Sequence, residues 1–150
     1  NAALTIIGEG AERPRLERLR NRLGLEDSIL LPGHLDNPFP VLAQADLFIN
    51  SSIAEGFPLT LVEAMTLGIP VAATRTAGVA AVIVDGLNGY LGEGFSADAI
   101  GGLLERALTD PERAKAGEAG QRVAIEKYGA EKMVRSYEGL YRRLVSERPL

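Results

Sequence analysis

Ser51-Ser52-Ile53-Ala54-Glu55-Gly56-Phe57-Pro58-Leu59-Thr60-Leu61-Val62-Glu63-Ala64-Met65 is the stretch on which the reading of this chain turns. It follows Asp46-Leu47-Phe48-Ile49-Asn50, an apolar run that reads as a strand, and it opens a helix predicted over residues 59–67 and ended by Gly68. Gly56 allows close backbone approach to a ligand. Pro58 suits the first turn of a helix, where its missing N–H costs nothing. The amides of Leu59, Thr60 and Leu61 are then expected to point free from the helix mouth, where they and the helix dipole attract an anion such as a diphosphate. Two carboxylates flank that mouth, Glu55 in the loop and Glu63 in the helix. Helical side chains lean toward the N-terminus, which brings Glu63 back toward the opening. A carboxylate accepts two hydrogen bonds from neighbouring hydroxyls, as a ribose diol offers. The spacing alone is also compatible with Glu55 as an exposed loop acid and Glu63 as an acid that complements the dipole.

Outward from this stretch, short apolar runs alternate with helical patterns. Leu4-Thr5-Ile6-Ile7 reads as a buried strand stopped by Gly8. Residues 12–23 carry Leu16, Leu19 and Leu23 at helical spacing before Gly24, an expected C-cap. Ser28-Ile29-Leu30-Leu31 reads as a second strand closed by Pro32-Gly33, and residues 38–45 as a short helix. Pro70-Val71-Ala72-Ala73 and Gly89-Tyr90-Leu91 read as the fourth and fifth strands, and helices are predicted near 97–109, 111–127 and 130–147. The pattern predicts an α/β fold: a Rossmann-like parallel sheet with helices on both faces, followed by C-terminal helices. Sheets of this kind take ligands outside the carboxyl ends of their strands. No internal repeat or linker divides the 150 residues, so one domain over 1–150 is expected.

Composition narrows the function. With 46% hydrophobic and 24% charged residues, the chain can bury a core without staples. The absence of cysteine excludes disulfides and thiolate metal sites. A net charge of −4 argues against a long grip on nucleic acid, which needs a basic face. No apolar run approaches the ~20 residues of a membrane span. The opening Asn1-Ala2-Ala3-Leu4, immediately before a strand, is expected to mark an excised fragment.

The E-x7-E spacing from Glu55 to Glu63 resembles the signature of family 4 retaining glycosyltransferases. The similarity continues through Ala64-Met65, Gly68-Ile69-Pro70-Val71 and Ala77-Gly78. It resumes at Asp85-Gly86-Leu87-Asn88-Gly89-Tyr90-Leu91, which resembles the family's DGxxGxL turn. Residues 4–10 resemble its second strand and glycine loop, and Tyr128-Gly129-Ala130-Glu131-Lys132-Met133, with Tyr137 and Leu140-Tyr141, resembles its closing helix. The resemblance implies the C-terminal, donor-binding half of a GT-B fold, here without the acceptor domain and without its own first strand and helix. The implied reaction moves a hexosyl group from a UDP-, GDP- or ADP-sugar to an acceptor with retention at the anomeric carbon. No metal or other cofactor is expected, and the sequence has no Asp-x-Asp pair and one histidine. The acceptor, a glycan, lipid or small molecule, would be bound by the missing half, so the isolated fragment is expected to be inactive.

Carried over by position, Glu55 contacts the donor sugar and is the candidate catalytic residue. Gly56, Phe57, Pro58, Leu59 and Thr60 line the diphosphate loop, and Glu63 holds the ribose. Gly8 and Gly10 form a loop near the donor, and His34 is placed beside the nucleobase; a plain strand-to-helix turn and an exposed loop histidine are the alternatives. A cytoplasmic location is implied, with peripheral membrane contact through Arg142-Arg143 and Arg148. Two departures stand out. The segment that usually carries a basic pair for the phosphates is absent, and Ala81 stands where the family often has a Glu.

Other features have competing readings. Gly8-Glu9-Gly10-Ala11-Glu12-Arg13 is a partial dinucleotide fingerprint with Arg13 at the third glycine position. Arg75 follows the fourth strand, as a solvated loop arginine or a phosphate contact. Gly78 is expected to permit a tight turn against the ligand. Arg106, Arg113, Lys115, Arg122 and Lys127 read as a solvated face. The competing functions are a GT-B epimerase or phosphorylase, a non-catalytic nucleotide-sugar-binding or regulatory domain, and an NAD-binding module. Lys115, Lys127 and Lys132, the only lysines, sit in late helices and do not suit a pyridoxal-phosphate phosphorylase.

Overall fold

A computed structural model describes residues 2–147; Arg148, one of the three arginines assigned to membrane contact, lies outside the described residues, as does Asn1. The chain divides into two compact units, Asn1–Val41 and Leu42–Leu150.

In the first unit, β1 (Leu4–Ile7) and β2 (Ile29–Gly33) pair in parallel, with Leu4 opposite Ile29 and Ile7 opposite Gly33. The connection between them is α1 (Arg13–Arg22), with proline in its first turn and Arg20 and Arg22 in its last, where cations complement the dipole. Gly24 follows with φ +64°, the left-handed stop expected there. β2 runs on through Pro32, which a strand needing no donor at that position tolerates. Apart from Gly33, no described residue of this unit is buried, so the buried strand expected at Leu4-Thr5-Ile6-Ile7 is exposed here.

The second unit holds the core. The short helix α2 (Phe39–Leu42) leads into it, and β3 (Phe48–Asn50), β4 (Val71–Thr74) and β5 (Tyr90–Gly92) pair in parallel in the order β3-β4-β5. β4 is central and buried throughout, and its side chains alternate between faces. Val71 and Ala73 pack with Leu61, Met65, Val79 and Ala124, carried by α3 (Leu59–Thr66), α4 (Ala77–Ala80) and α6 (Arg113–Tyr128). Ala72 packs with Tyr90, Leu103, Ala107 and Ala116, toward α5 (Ala97–Thr109). Helices thus cover both faces of this ladder, as the alternating pattern predicts.

The small residues of α6 set its depth. A Cβ on Gly117 would stand 2.4 Å from the Gly68 carbonyl oxygen, so α6 meets the turn after α3 backbone to side. Gln121 reinforces the seam by donating to the Thr66 carbonyl at 2.9 Å. After Gly129, α7 (Ala130–Ser146) buries none of its residues, although Met133, Val134, Tyr137, Leu140, Tyr141 and Leu144 recur every three or four positions along one face.

The strands make two ladders, not the one sheet expected. Among the described residues, no strand pairs with the second edge of β1 or of β3.

Candidate functional site

Asn50 ends β3 buried, and its side-chain oxygen accepts from the Ser52 amide at 3.0 Å, turning the chain out of the sheet. The Thr74 hydroxyl, at the end of the neighbouring strand, donates to the Ser52 carbonyl and ties the turn down from the other side. The Ser52 hydroxyl in turn donates to Glu55 Oε2 at 3.3 Å. Glu55 is half-buried, and its backbone carbonyl accepts from the Gly78 amide at 3.1 Å.

Gly78 has no room for anything larger. A Cβ there would stand 2.4 Å from the Gly56 oxygen and 2.5 Å from the Glu55 oxygen. The close approach expected of Gly78 is therefore to the loop's own backbone, a correction to the ligand contact inferred from the sequence. α4 carries it there, a one-turn helix that the sequence reading missed, although Thr76 is a typical N-cap whose hydroxyl accepts from the Val79 amide at 3.3 Å.

Pro58 caps α3 rather than lying in its first turn, and its side chain is fully buried. The Leu59 amide donates to the Phe57 carbonyl at 3.0 Å, and the Leu61 amide to the Pro58 carbonyl at 3.1 Å. Two of the three amides expected to be free are thus satisfied within the loop, because the proline kink turns local carbonyls onto them. The Thr60 amide keeps no acceptor among the described residues, and neither do those of Gly56 and Phe57. Nothing stands within 4 Å of a Cβ built on Gly56, so the space above that backbone is open. Phe57 meets Tyr128 edge to face, with ring centroids 5.3 Å apart. Glu63, half-buried on the first turns of α3, has no hydrogen-bond or ion-pair partner for its carboxylate among the described residues. The structure thus gathers Glu55, Gly56, Phe57, Pro58, Leu59, Thr60 and Glu63 on one loop and helix at the carboxyl end of β3.

Gly8, Gly10 and His34 belong to the first unit. Gly8 and His34 follow the paired carboxyl ends of β1 and β2, and the Gly8 amide donates to the Gly33 carbonyl at 2.8 Å. A Cβ on Gly8 or Gly10 would meet nothing within 4 Å. His34 is exposed, with Nε2 3.5 Å from Asp36 Oδ1. Arg13, at the third position of the partial fingerprint, pairs with Glu9 and Glu17 at 2.5 and 2.9 Å and donates to the Leu31 carbonyl, which makes it a clamp on its own loop.

Two arginines are exposed, as expected, but have partners that the sequence reading did not foresee. Arg106 grips Asp85 with two bonds of 2.8 and 3.0 Å, donates to the Leu91 carbonyl, and lies 5.5 Å above the Tyr90 ring. That guanidinium holds the Asp85 carboxyl below its ordinary range, assisted by the Leu91 amide. The DGxxGxL turn is thereby bolted to α5. Tyr90 completes the cluster; its buried hydroxyl donates to Asp110 at 2.8 Å, and burial together with that carboxylate pushes the phenol up to about 12. Arg75 pairs with Glu93 at 2.6 Å across the ends of β4 and β5. Among the described residues, no three His, Asp or Glu side chains converge as a metal site, and no helix is long and apolar enough to cross a membrane.

Fold and site together define an α/β domain of the doubly wound class, with an open, glycine-containing loop and two carboxylates outside the carboxyl end of a parallel strand. The profile of the family described as glycosyl transferases group 1 matches residues 1–123, and the chain belongs to that family. It is 34% identical over 142 residues to N-acetyl-alpha-D-glucosaminyl L-malate synthase of Bacillus anthracis, a match covering 94% of this chain and 37% of that protein. The C-terminal domain of a group 1 glycosyl transferase from Francisella tularensis is 30% identical, with a TM-score of 0.75 over 85% of this chain and 70% of that one. The HepE protein of Anabaena, solved in complex with UDP, shares the fold at 23% identity, with a TM-score of 0.83 over 97% of this chain and 41% of its own. The fold is that of the C-terminal half of the GT-B architecture.

Proposed function

We propose that this chain is the donor-binding half of a retaining, family 4 glycosyltransferase. It binds a nucleoside diphosphate sugar at residues 55–63 and, in the full-length protein, transfers the hexosyl group to an acceptor glycan, lipid or small molecule. The observation that carries the reading is the pair Glu55 and Glu63 on either side of a loop whose Gly56, Phe57 and Thr60 amides have no acceptor among the described residues. Backbone amides hold a diphosphate without needing net positive charge. Glu63, whose carboxylate has no partner among the described residues, is available to a ribose diol, and Glu55, steadied by Ser52, to the sugar. Amides fixed before reaction would also stabilise the charge that develops on the leaving diphosphate, roughly 3–4 kcal/mol per donor in enzymes. Gly8, Gly10 and His34, in the first unit, are assigned to donor binding, the histidine to the base. No resident metal or other cofactor enters this reading.

The chain covers 37% of the Bacillus anthracis relative's length; we place the acceptor domain, together with a first strand and helix of this domain, in the remaining length of the full protein, of which this chain would form the cytoplasmic donor half with peripheral membrane contact.

Calorimetric titration with UDP, GDP, ADP and NAD tests the reading. One nucleoside diphosphate should bind, and Glu63→Ala should weaken it about tenfold or more, the equivalent of a charge-assisted hydrogen bond. Binding of NAD alone, indifferent to that substitution, would refute it.

A further inference from the structure

Phe57 is anomalous among the loop residues. It is an exposed aromatic ring in the middle of an open loop, and yet its position is set by a residue far along the chain. Tyr128, the last residue of α6, lies edge to face against it at 5.3 Å with the ring planes 62° apart. The Tyr128 hydroxyl donates to the Ala81 carbonyl at 3.3 Å, and Ala81 is the C-cap of α4. The same short helix sends the Gly78 amide to the Glu55 carbonyl.

These contacts close a circuit: Glu55 to Gly78, along α4 to Ala81, across to Tyr128, and back to Phe57. Gly56 sits between the two anchored residues; its carbonyl lies against Gly78, while nothing stands within 4 Å of a Cβ built on it. A glycine in an open loop has the widest conformational freedom of any residue. Fixing both its neighbours from separate helices removes most of that freedom before any ligand arrives, which is the general route to a pre-organised site. The two anchors divide the loop: Gly78 packs on the Glu55 and Gly56 carbonyls, and Tyr128 alone reaches the Phe57 ring.

We propose that Tyr128 is a positioning residue of the donor loop: its ring sets Phe57, and through Phe57 the presentation of the Gly56 backbone. The proposal rests on the donor-site reading for its ligand, but the mechanical part is measurable without one. The local bonds that depend on the loop are those made by the amides of Leu59, Leu61 and Gly78.

The test is amide hydrogen exchange on the full chain without ligand, followed by titration with UDP, GDP and ADP. Tyr128→Ala should speed exchange at those three amides by about 2- to 12-fold, the equivalent of one edge-to-face pair. Tyr128→Phe, which keeps the ring, should speed it less. Phe57→Leu removes the contact from an exposed position, so it should fold and reproduce the Tyr128→Ala acceleration; it carries the test if Tyr128→Ala does not fold. Tyr128→Ala should weaken nucleoside diphosphate binding, and in the Phe57→Leu background it should add no further loss. Unchanged exchange at these amides in Phe57→Leu and Tyr128→Ala would overturn the proposal. So would an equal loss of affinity from Tyr128→Ala with and without Phe57→Leu, since that is what general destabilisation produces. If the parent chain binds none of the three nucleotides while the loop amides still respond, the donor-site reading fails and the Tyr128 anchor is upheld.

Discussion

Gly78→Ala is the substitution with the most calculable consequence. The added methyl would stand 2.4 Å from the Gly56 oxygen, 2.5 Å from the Glu55 oxygen and 2.7 Å from the Gly56 carbonyl carbon, where ordinary contact begins at 3.4 Å. All three neighbours are backbone, so no rotamer change relieves the clash. The loop or α4 must move by the difference, about 1 Å, and overpacking of this kind costs ~1–3 kcal/mol. That movement also stretches the Gly78–Glu55 hydrogen bond, 3.1 Å long, for a further ~0.5–1.5 kcal/mol. The lower entropy of the unfolded alanine chain returns ~0.4–1 kcal/mol. The net expectation is a loss of about 0.5–4 kcal/mol, which at this chain length lowers Tm by about 2–4 °C for each kcal/mol. Because the strain falls on Glu55 and Gly56, nucleoside diphosphate affinity should fall about tenfold or more. Gly101→Ala in α5 is the control: nothing stands within 4 Å of its added carbon, and a helical glycine replaced in open space should gain ~0.5–1 kcal/mol. Thermal unfolding and calorimetric titration of both variants decide the matter. A Gly78→Ala chain with the parent's Tm and affinity would refute the claim that α4 packs directly on the loop.

Further outcomes follow from the cluster around Tyr90. Arg106→Lys should lose up to ~1 kcal/mol in urea unfolding, because an ammonium cannot reproduce the two-point grip on Asp85 and the pair is partly exposed. The bond from Arg106 lowers the Asp85 carboxyl in the folded chain, so its contribution is present above the unfolded value of about 4 and lost as pH falls through the lowered folded value. The pair is partly exposed, so that contribution is ~1 kcal/mol or less; Asp85→Asn should flatten the acid limb of a stability–pH curve by this amount. The Tyr90 phenol, raised by burial and by Asp110, should favour folding below the unfolded value of about 10 and lose that contribution as pH rises toward about 12. Tyr90→Phe should cost ~0.5–1.5 kcal/mol at neutral pH and remove the highest-pH component from a phenolate absorbance titration.

Much of this protein was legible in the sequence because the signals were local. The alternation of short β-branched runs with helical spacing marked every strand and every long helix. Ends shifted by one to three residues, the most at α2, which stops at Leu42, and α4 was missed because a single turn carries too little periodicity. The loop and both glutamates were legible for the same reason: Glu55, Gly56, Pro58 and Glu63 lie within one stretch, and a strand-to-helix turn gathers them without help from the rest of the chain.

What the tertiary structure decided are the partnerships between residues distant in sequence, which no periodicity encodes. Arg106 reads as one more helix cation until α5 sets it over Asp85, 21 positions away. Gly78 reads as a turn glycine until α4 lays it on the Glu55 and Gly56 carbonyls. Tyr128 reads as the end of a helix until its ring meets Phe57. Sequence spacing specifies which residues share a helix or a loop; which backbone atom lies within 3 Å of which side chain is set only when separate elements pack, because only packing brings distant atoms into contact.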